Sequence, residues 1–512
     1  MVTLNPDNNV RSSLYIYAGN FSFLLGGSLF YILIARFLPV ASIGIIALSG
    51  AIVSFLTVIF SLGIDYGFQH YISYYIGKSD FSGARYIIRI SLLLIVILSI
   101  IVFASGWIFS GPISIIFFHS IIFEPVVKLL GVYASLELYF MLIPSVISGA
   151  QKFVQSSILT IIGFACIYGF PILFLLFKQT IYSVIYGWII GSAIAAVISI
   201  TFLYQLTRKI SNEYMKQDNL MRSLFIYSFP LFISSLVSLS STFVDRFILA
   251  YLTNLSNLGI YIYALTATNA VSVLASPFST MLLPKFSAFY SKRDFTSLRK
   301  YVGFMVVLIS FIYIPAAIGL AAIAKPFLIL IVGDSYTSAS LPLTIILLVS
   351  SIFIPRIVIN SAVSSVRFTK VFMVSTLCAL VSNILLSFLL IPYLGIVGAA
   401  IANSSVYPVS FIIVTFAAFK LKIARFRILS EVKIWVSAIA MYFAITFLLP
   451  FLHGTLISVL VPILVGSVLY YAMIRITKPL SNEIATFIME SIPFKHYALR
   501  RIFSLLVGNN VE

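Results

Sequence analysis

The sequence predicts an all-α, polytopic membrane protein of about fourteen transmembrane helices: two pseudo-symmetric six-helix lobes followed by two further helices. Three observations predict this: the composition, the length of the apolar runs and an internal repeat. Of 512 residues, 61% are hydrophobic and 9% charged, whereas a soluble domain carries about 25% charged residues. Mean hydropathy is +1.13. No soluble fold hides that much apolar surface, so the solvent is lipid. Cys166 and Cys378 sit inside apolar runs and read as core thiols rather than a disulfide.

A bilayer span takes about 20 apolar residues. Fourteen runs qualify: 14–35, 42–64, 87–109, 126–148, 155–177, 181–203, 223–245, 259–283, 301–324, 341–364, 371–391, 395–419, 434–452 and 456–474. They are too long and too evenly apolar for barrel strands, which alternate over about 10 residues. The first run is also too long for the apolar region of a cleavable signal, so it reads as a retained span.

The chain states one segment twice. GKSDFSGAR at 77–85 returns as SKRDFTSLR at 291–299, and ARFLPVASIG at 35–44 faces AYLTNLSNLG at 250–259. The offsets are 214 and 215 residues. Two matches at nearly one offset indicate a structural unit used twice. Helices 1–6 form one unit (1–207) and helices 7–12 a second (223–419), with a linker at 208–222. Six is even, so both units enter the membrane from the same side, as parallel repeats. Helices 13 and 14 (420–474) are an appendix. The tail at 475–512 carries Ile484, Phe487, Ile488 and Ile492 among polar residues and reads as an amphipathic surface helix. In the repeated KxDF[ST]xxR loop, Asp80 and Asp294 are expected to cap a helix or pair with the arginine, fixing the angle between two helices.

The net charge of +18 lies in short loops, which is a topology signal rather than a nucleic-acid footprint. With the N-terminus inside, 26 of the 32 Lys and Arg residues fall on the cytoplasmic side and 5 outside; Arg356 falls within a span. Both termini are therefore expected in the cytoplasm. No inter-helix loop exceeds about twenty residues, which excludes a soluble catalytic domain. The four histidines are scattered, and no metal, nucleophile or P-loop motif is present, so neither catalysis nor a cofactor is implied.

Polar residues inside the spans are the candidate site. Ser54, Thr57 and Ser61 share a face of helix 2, and at the repeat offset they become Asn269, Ser272 and Ser276 on helix 8. Ser234, Ser238, Ser241 and Asp245 share a face of helix 7. Small polar residues also let membrane helices pack closely, but matched stripes in both halves favour a shared hydrated cavity. Glu137 sits near the middle of helix 4 and Arg356 on its repeat equivalent, helix 10, one turn away in register. Either they pair between lobes, or each faces water and ligand. On the second reading Glu137 is a proton or cation site and Arg356 an anion contact, since guanidinium suits phosphate. Asp65, Asp245, Arg246 and Arg36 lie near span ends, where charge is cheaper. The two acids are ion-coupling candidates, although an internal pair or a cap explains them equally well.

IARFLPVASIGIIALS (34–49), SLGIDYGFQHYISYYIGKSD (61–80) and FVDRFILAYLTNLSNLGIYIYA (243–264) resemble the polysaccharide-export and O-antigen flippase family. That family belongs to the multidrug/oligosaccharidyl-lipid/polysaccharide exporter superfamily. The resemblance covers helices 1–12 and fits the fourteen-helix count of that branch. It implies translocation of a lipid-linked oligosaccharide, on an isoprenoid phosphate or diphosphate carrier, from inner to outer leaflet by alternating access around a cationic cavity. Asp245, Arg246 and Arg36 are carried over as family-typical residues; the cavity role of Arg356 comes from its position alone. The implied partners are the lipid-linked oligosaccharide, membrane lipid, a coupling ion (H+ or Na+) and glycosyltransferases or a polymerase of the same pathway, with no nucleic acid. The rival readings are a cation-coupled multidrug antiporter of the same superfamily and a membrane glycosyltransferase or polymerase.

Overall fold

The computed structural model describes residues 26–208, 220–366 and 368–479. Regular structure among the described residues is entirely helical. Thirteen helices there are long and apolar enough to cross a membrane, and each overlaps one of the fourteen expected runs. The remaining run, 14–35, is described only from residue 26, as helix α1 (26–34). The centre of the linker and the amphipathic stretch around Ile484, Phe487, Ile488 and Ile492 lie outside the described residues.

In chain order α1 is followed by α2 (Val40–Ser61), α3 (Ile64–Gly77), α4 (Phe81–Ile108), α5 (Ser110–Phe118), α6 (Glu124–Gly149), α7 (Phe153–Phe177), α8 (Ile181–Arg208), α9 (Leu220–Leu252), α10 (Leu255–Ser272), α11 (Ser276–Ser291) and α12 (Phe295–Ala322). Then come α13 (Ala324–Val332), α14 (Ser340–Ile352), α15 (Arg356–Ser365), α16 (Lys370–Leu394), α17 (Ile396–Ser404), α18 (Val406–Lys420), α19 (Ile428–Leu448) and α20 (Ile457–Thr477). Packing divides the chain into one compact unit ending at Ile262 and another beginning at Tyr263. In the first, α9 packs against α2 and α3, so this unit holds helices from both sequence repeats. In the second, α12 packs on α14 and α19, and α15 on α11 and α18.

The repeat is visible as geometry. After α2 the chain turns through Leu62 and Gly63, both at positive φ (49° and 68°), and continues as α3. After α10 the equivalent break is a 3-10 turn at Val273–Ala275, followed by α11. Expected helices 2 and 8 therefore each run on as a second, bent segment. Both segments then end in the same corner. Ser79 and Arg293, 214 positions apart, take positive φ (60° and 55°). The following aspartates cap the next helix: Asp80 Oδ1 accepts from the Gly83 N–H at 2.9 Å, and Asp294 Oδ1 from the Ser297 N–H at 3.0 Å. The Ser82 hydroxyl also donates to Asp80 at 2.7 Å. Both carboxyls are held below the ordinary carboxylate range, Asp80 mainly by the Gly83 N–H and Asp294 by the hydroxyl and N–H of Ser297. The aspartate of the repeated motif is thus a helix cap.

A second repeat pair, Gly44 and Gly259, lets α2 and α10 cross in backbone contact. A Cβ added at Gly44 would overlap the Leu255 carbonyl and lie 3.1 Å from the Gly259 nitrogen. One added at Gly259 would overlap the Val40 carbonyl and lie 3.0 Å from the Gly44 nitrogen. Val40 and Leu255 are themselves 215 positions apart, so the contact is reciprocal.

Two further expected helices are discontinuous. Run 341–364 breaks at Phe353–Pro355 and restarts as α15 with Arg356 as its first residue. Proline lacks an N–H and disfavours helical geometry at the residue before it. Run 395–419 breaks at Ser405, where Pro408 withholds the N–H that the Ser404 carbonyl would accept.

Candidate functional site

In the second unit, the break before α15 positions Arg356. Its guanidinium lies over the Tyr407 ring of α18, 5.0 Å from the ring centre. Arg356 opens into a cavity of about 150 Å³ shared with Ser272, Tyr313, Ser350 and Tyr407. Tyr313 and Ser350 bond each other at 3.1 Å, which fixes the phenol of α12 against α14. Among the described residues Arg356 forms no ion pair, and no carboxylate lines this cavity. A positive charge surrounded by phenols, hydroxyls and apolar walls is an anion-accepting arrangement. A second space of about 270 Å³ continues along α15 past Ile357, lined by Asn360, Ser361 and Ser364.

In the first unit, Glu137 lies in the middle of α6 among aromatic side chains. Tyr133, one turn earlier, stacks on Trp188 of α8 at 5.2 Å, and Phe30 packs on both Trp188 and Tyr168. Tyr133 and Ser192 are the polar groups facing the carboxyl. Glu137 Oε2 is buried and accepts no hydrogen bond of good geometry. An acceptor with spare capacity, ringed by hydroxyls, suits a proton or a small cation.

The other candidates fall in three groups. Asp245 is wholly buried and accepts a 2.6 Å bond from the Tyr261 hydroxyl, an internal tie between α9 and α10. Arg246 stacks on Phe243 at 4.5 Å, and Tyr31 lies nearby. Arg36 is exposed in the turn after α1. Asp65 stands in the first turn of α3, its carboxylate facing the N–H groups of residues 65 and 66. Among the stripes, Ser54, Thr57 and Ser61 each donate to a carbonyl of their own helix, as do Ser234 and Ser272, while Ser276 donates to the Val273 carbonyl of the preceding 3-10 turn. Ser272 nevertheless lines the Arg356 cavity. Ser234, Ser238 and Asn269 are exposed, and Ser241 is half-buried. Sequence reasoning missed Tyr313, Ser350 and Tyr407; for the first and last the only signal was tyrosine deep in an apolar run, and Ser350 gave none.

These features define a multi-pass helical membrane protein with the exporter fold. A lipid II flippase structure (MurJ, inward closed) superposes with TM-score 0.68 at 19% identity, over 90% of this chain and 98% of that one. An inward-facing multidrug-resistance MATE transporter gives TM-score 0.63 at 14% identity, over 78% of this chain and 95% of that one. The family profile described as polysaccharide biosynthesis protein matches residues 33–341. The chain belongs to this family. A protein named as an O-antigen transporter of Shigella flexneri is 22% identical over 278 residues, 54% of this chain and 65% of that protein. A protein named as a low-salt glycan biosynthesis flippase of Haloferax volcanii is 22% identical over 407 residues, 78% of this chain and 81% of that one.

Proposed function

We propose that the protein is a flippase for a lipid-linked oligosaccharide on an isoprenoid phosphate or diphosphate carrier, working by alternating access between two six-helix lobes. It moves its cargo from inner to outer leaflet of the cell membrane, with both chain termini in the cytoplasm. Membership of the polysaccharide biosynthesis family and the names of the two relatives support the cargo class. The observation that carries the reading is Arg356, a half-buried cation with no carboxylate in its cavity. A cation-coupled drug antiporter would instead call for an acid-rich cavity in one lobe and would confer drug resistance on expression. A sugar headgroup cannot cross about 30 Å of hydrocarbon unaided, whereas a polar cleft open to lipid carries the head while the tail stays in the bilayer. Arg356 holds the phosphate, Tyr313, Ser350 and Ser272 orient it, and Glu137 binds the coupling ion, H+ or Na+. Moving one charge is worth about 2.3 kcal/mol per 100 mV, a sufficient source of direction.

The test is Arg356→Ala and Arg356→Lys, scored for membrane insertion and for surface glycan or glycoprotein assembly. Arg356→Ala is expected to abolish assembly at normal insertion, and Arg356→Lys to restore part of it. Normal glycan output from the alanine variant removes Arg356 from the site.

A further inference from the structure

Helix α15 is polar on one side only. Val358, Ile359, Ala362 and Val363 are buried, and the helix packs on α11 and α18. Ile357, Asn360, Ser361 and Ser364 instead line the space of about 270 Å³ that continues from the Arg356 cavity. Hydrocarbon gives nothing to amide and hydroxyl groups on an open wall, so this side of the helix calls for a polar occupant.

The wall also says which kind. Asn360 is partly exposed while its Oδ1 is buried without a hydrogen bond, so its amide N–H groups are what it presents to the space. The Ser361 hydroxyl donates to the Ile357 carbonyl at 3.1 Å, which leaves its oxygen as an acceptor. Ser364, also partly exposed, offers a hydroxyl that can donate or accept. Ile357 and the exposed Leu283 of α11 add a small apolar patch. Among the described residues no charged side chain and no aromatic ring lines this space. A second phosphate would call for a cation here, and an isoprenoid chain for an apolar wall. Donors and an acceptor beside an apolar patch, without charge, fit a sugar ring, which is neutral, hydroxylated round its edge and apolar on its C–H face.

The spacing fits the order of the cargo. Asn360 and Ser364 follow Arg356 at i+4 and i+8, one and two turns further along α15. Each step advances about 6 Å along the axis, the scale on which a sugar ring follows the phosphate that carries it. A cationic space and a neutral polar one thus succeed each other along a single helix.

We propose that the space along α15 holds the sugar joined directly to the carrier phosphate, its edge hydrogen-bonded to Asn360 and Ser364 and its C–H face against Leu283. This rests on the flippase reading with Arg356 as the phosphate contact, and adds to it a subsite that makes the first sugar a determinant of cargo choice.

The test uses the full-length purified protein and three lipids of one chain length: a polyprenyl monophosphate, and the same lipid carrying a single glucose or a single N-acetylglucosamine. Their affinities are compared by native mass spectrometry. The wild type is expected to bind at least one sugar lipid about tenfold more tightly than the bare phosphate lipid. Asn360→Ala with Ser364→Ala is expected to bring the three within about twofold, and Arg356→Ala to weaken all three. Binding of the bare lipid also shows that the double variant is folded. Equal affinities in the wild type, with Arg356→Ala still weakening binding, overturn the sugar subsite and leave the flippase reading standing. So does a sugar preference that survives the double variant. Bare-lipid binding that is unchanged in Arg356→Ala overturns both.

Discussion

Gly44 and Gly259 offer a sharp test of the packing, because what an added methyl meets there is main chain. At Gly44 the new Cβ would overlap the Leu255 carbonyl oxygen and lie 2.7 Å from its carbon. At Gly259 it would overlap the Val40 carbonyl oxygen. No side-chain rotation relieves either clash, so α2 and α10 must separate. Overpacking of this kind costs about 1–3 kcal/mol, and Gly44→Ala and Gly259→Ala belong at the upper end. Because both act on one crossing, the double variant should cost clearly less than the sum. Gly169→Ala is the internal control. Its Cβ would meet nothing within 4 Å in the interior of α7, and removing a helical glycine should be neutral or gain about 0.5–1 kcal/mol. Unfolding in mixed micelles, followed by circular dichroism, reads the four variants against the wild type. Losses at Gly44 and Gly259 no larger than at Gly169, or strictly additive ones, would refute the reasoning.

Three further outcomes are expected. Replacing Asp80 and Asp294 by Ala should lower thermal stability at neutral pH. Their folded pKa values are depressed, so this contribution is present above the unfolded value of about 3.9 and lost as pH falls through the folded one; variant and wild type should converge as melts are taken from about pH 4 down through that folded value. Tyr261→Phe removes the 2.6 Å donor to buried Asp245 and should cost about 1.5–3 kcal/mol in the same micelle assay, with a smaller loss meaning that other donors suffice. Glu137→Gln should erase the dependence of glycan transfer on a sodium or proton gradient; an unchanged gradient profile in proteoliposomes removes Glu137 from coupling.

Hydropathy made the spans legible, because length and apolarity are properties of the local chain. The repeat was legible too, and it correctly singled out Asp80 and Asp294 as cap candidates. The break ahead of Arg356 was not read, although Pro355 was in plain view: apolar residues surround it, and a hydropathy window does not register a missing N–H. As a result Arg356 appeared as a mid-helix charge rather than the first residue of a new helix. The serine stripes failed differently. Spacing shows which residues share a face, but a hydroxyl on that face can turn back to its own helix, as Ser54, Thr57 and Ser61 do. Tyr313, Ser350 and Tyr407 come from three helices far apart in sequence, so only tertiary packing brings them together.

The crossing at Gly44 and Gly259 also bears on ancestry. Each glycine meets the start of the other's helix, the arrangement that a two-fold axis imposes on an isologous interface. A half-length chain carrying a single copy would make this contact only with a second molecule of itself, so a homodimer contact would have become an intramolecular one when two copies were fused. Either glycine is then free to drift only as far as its counterpart's carbonyl permits.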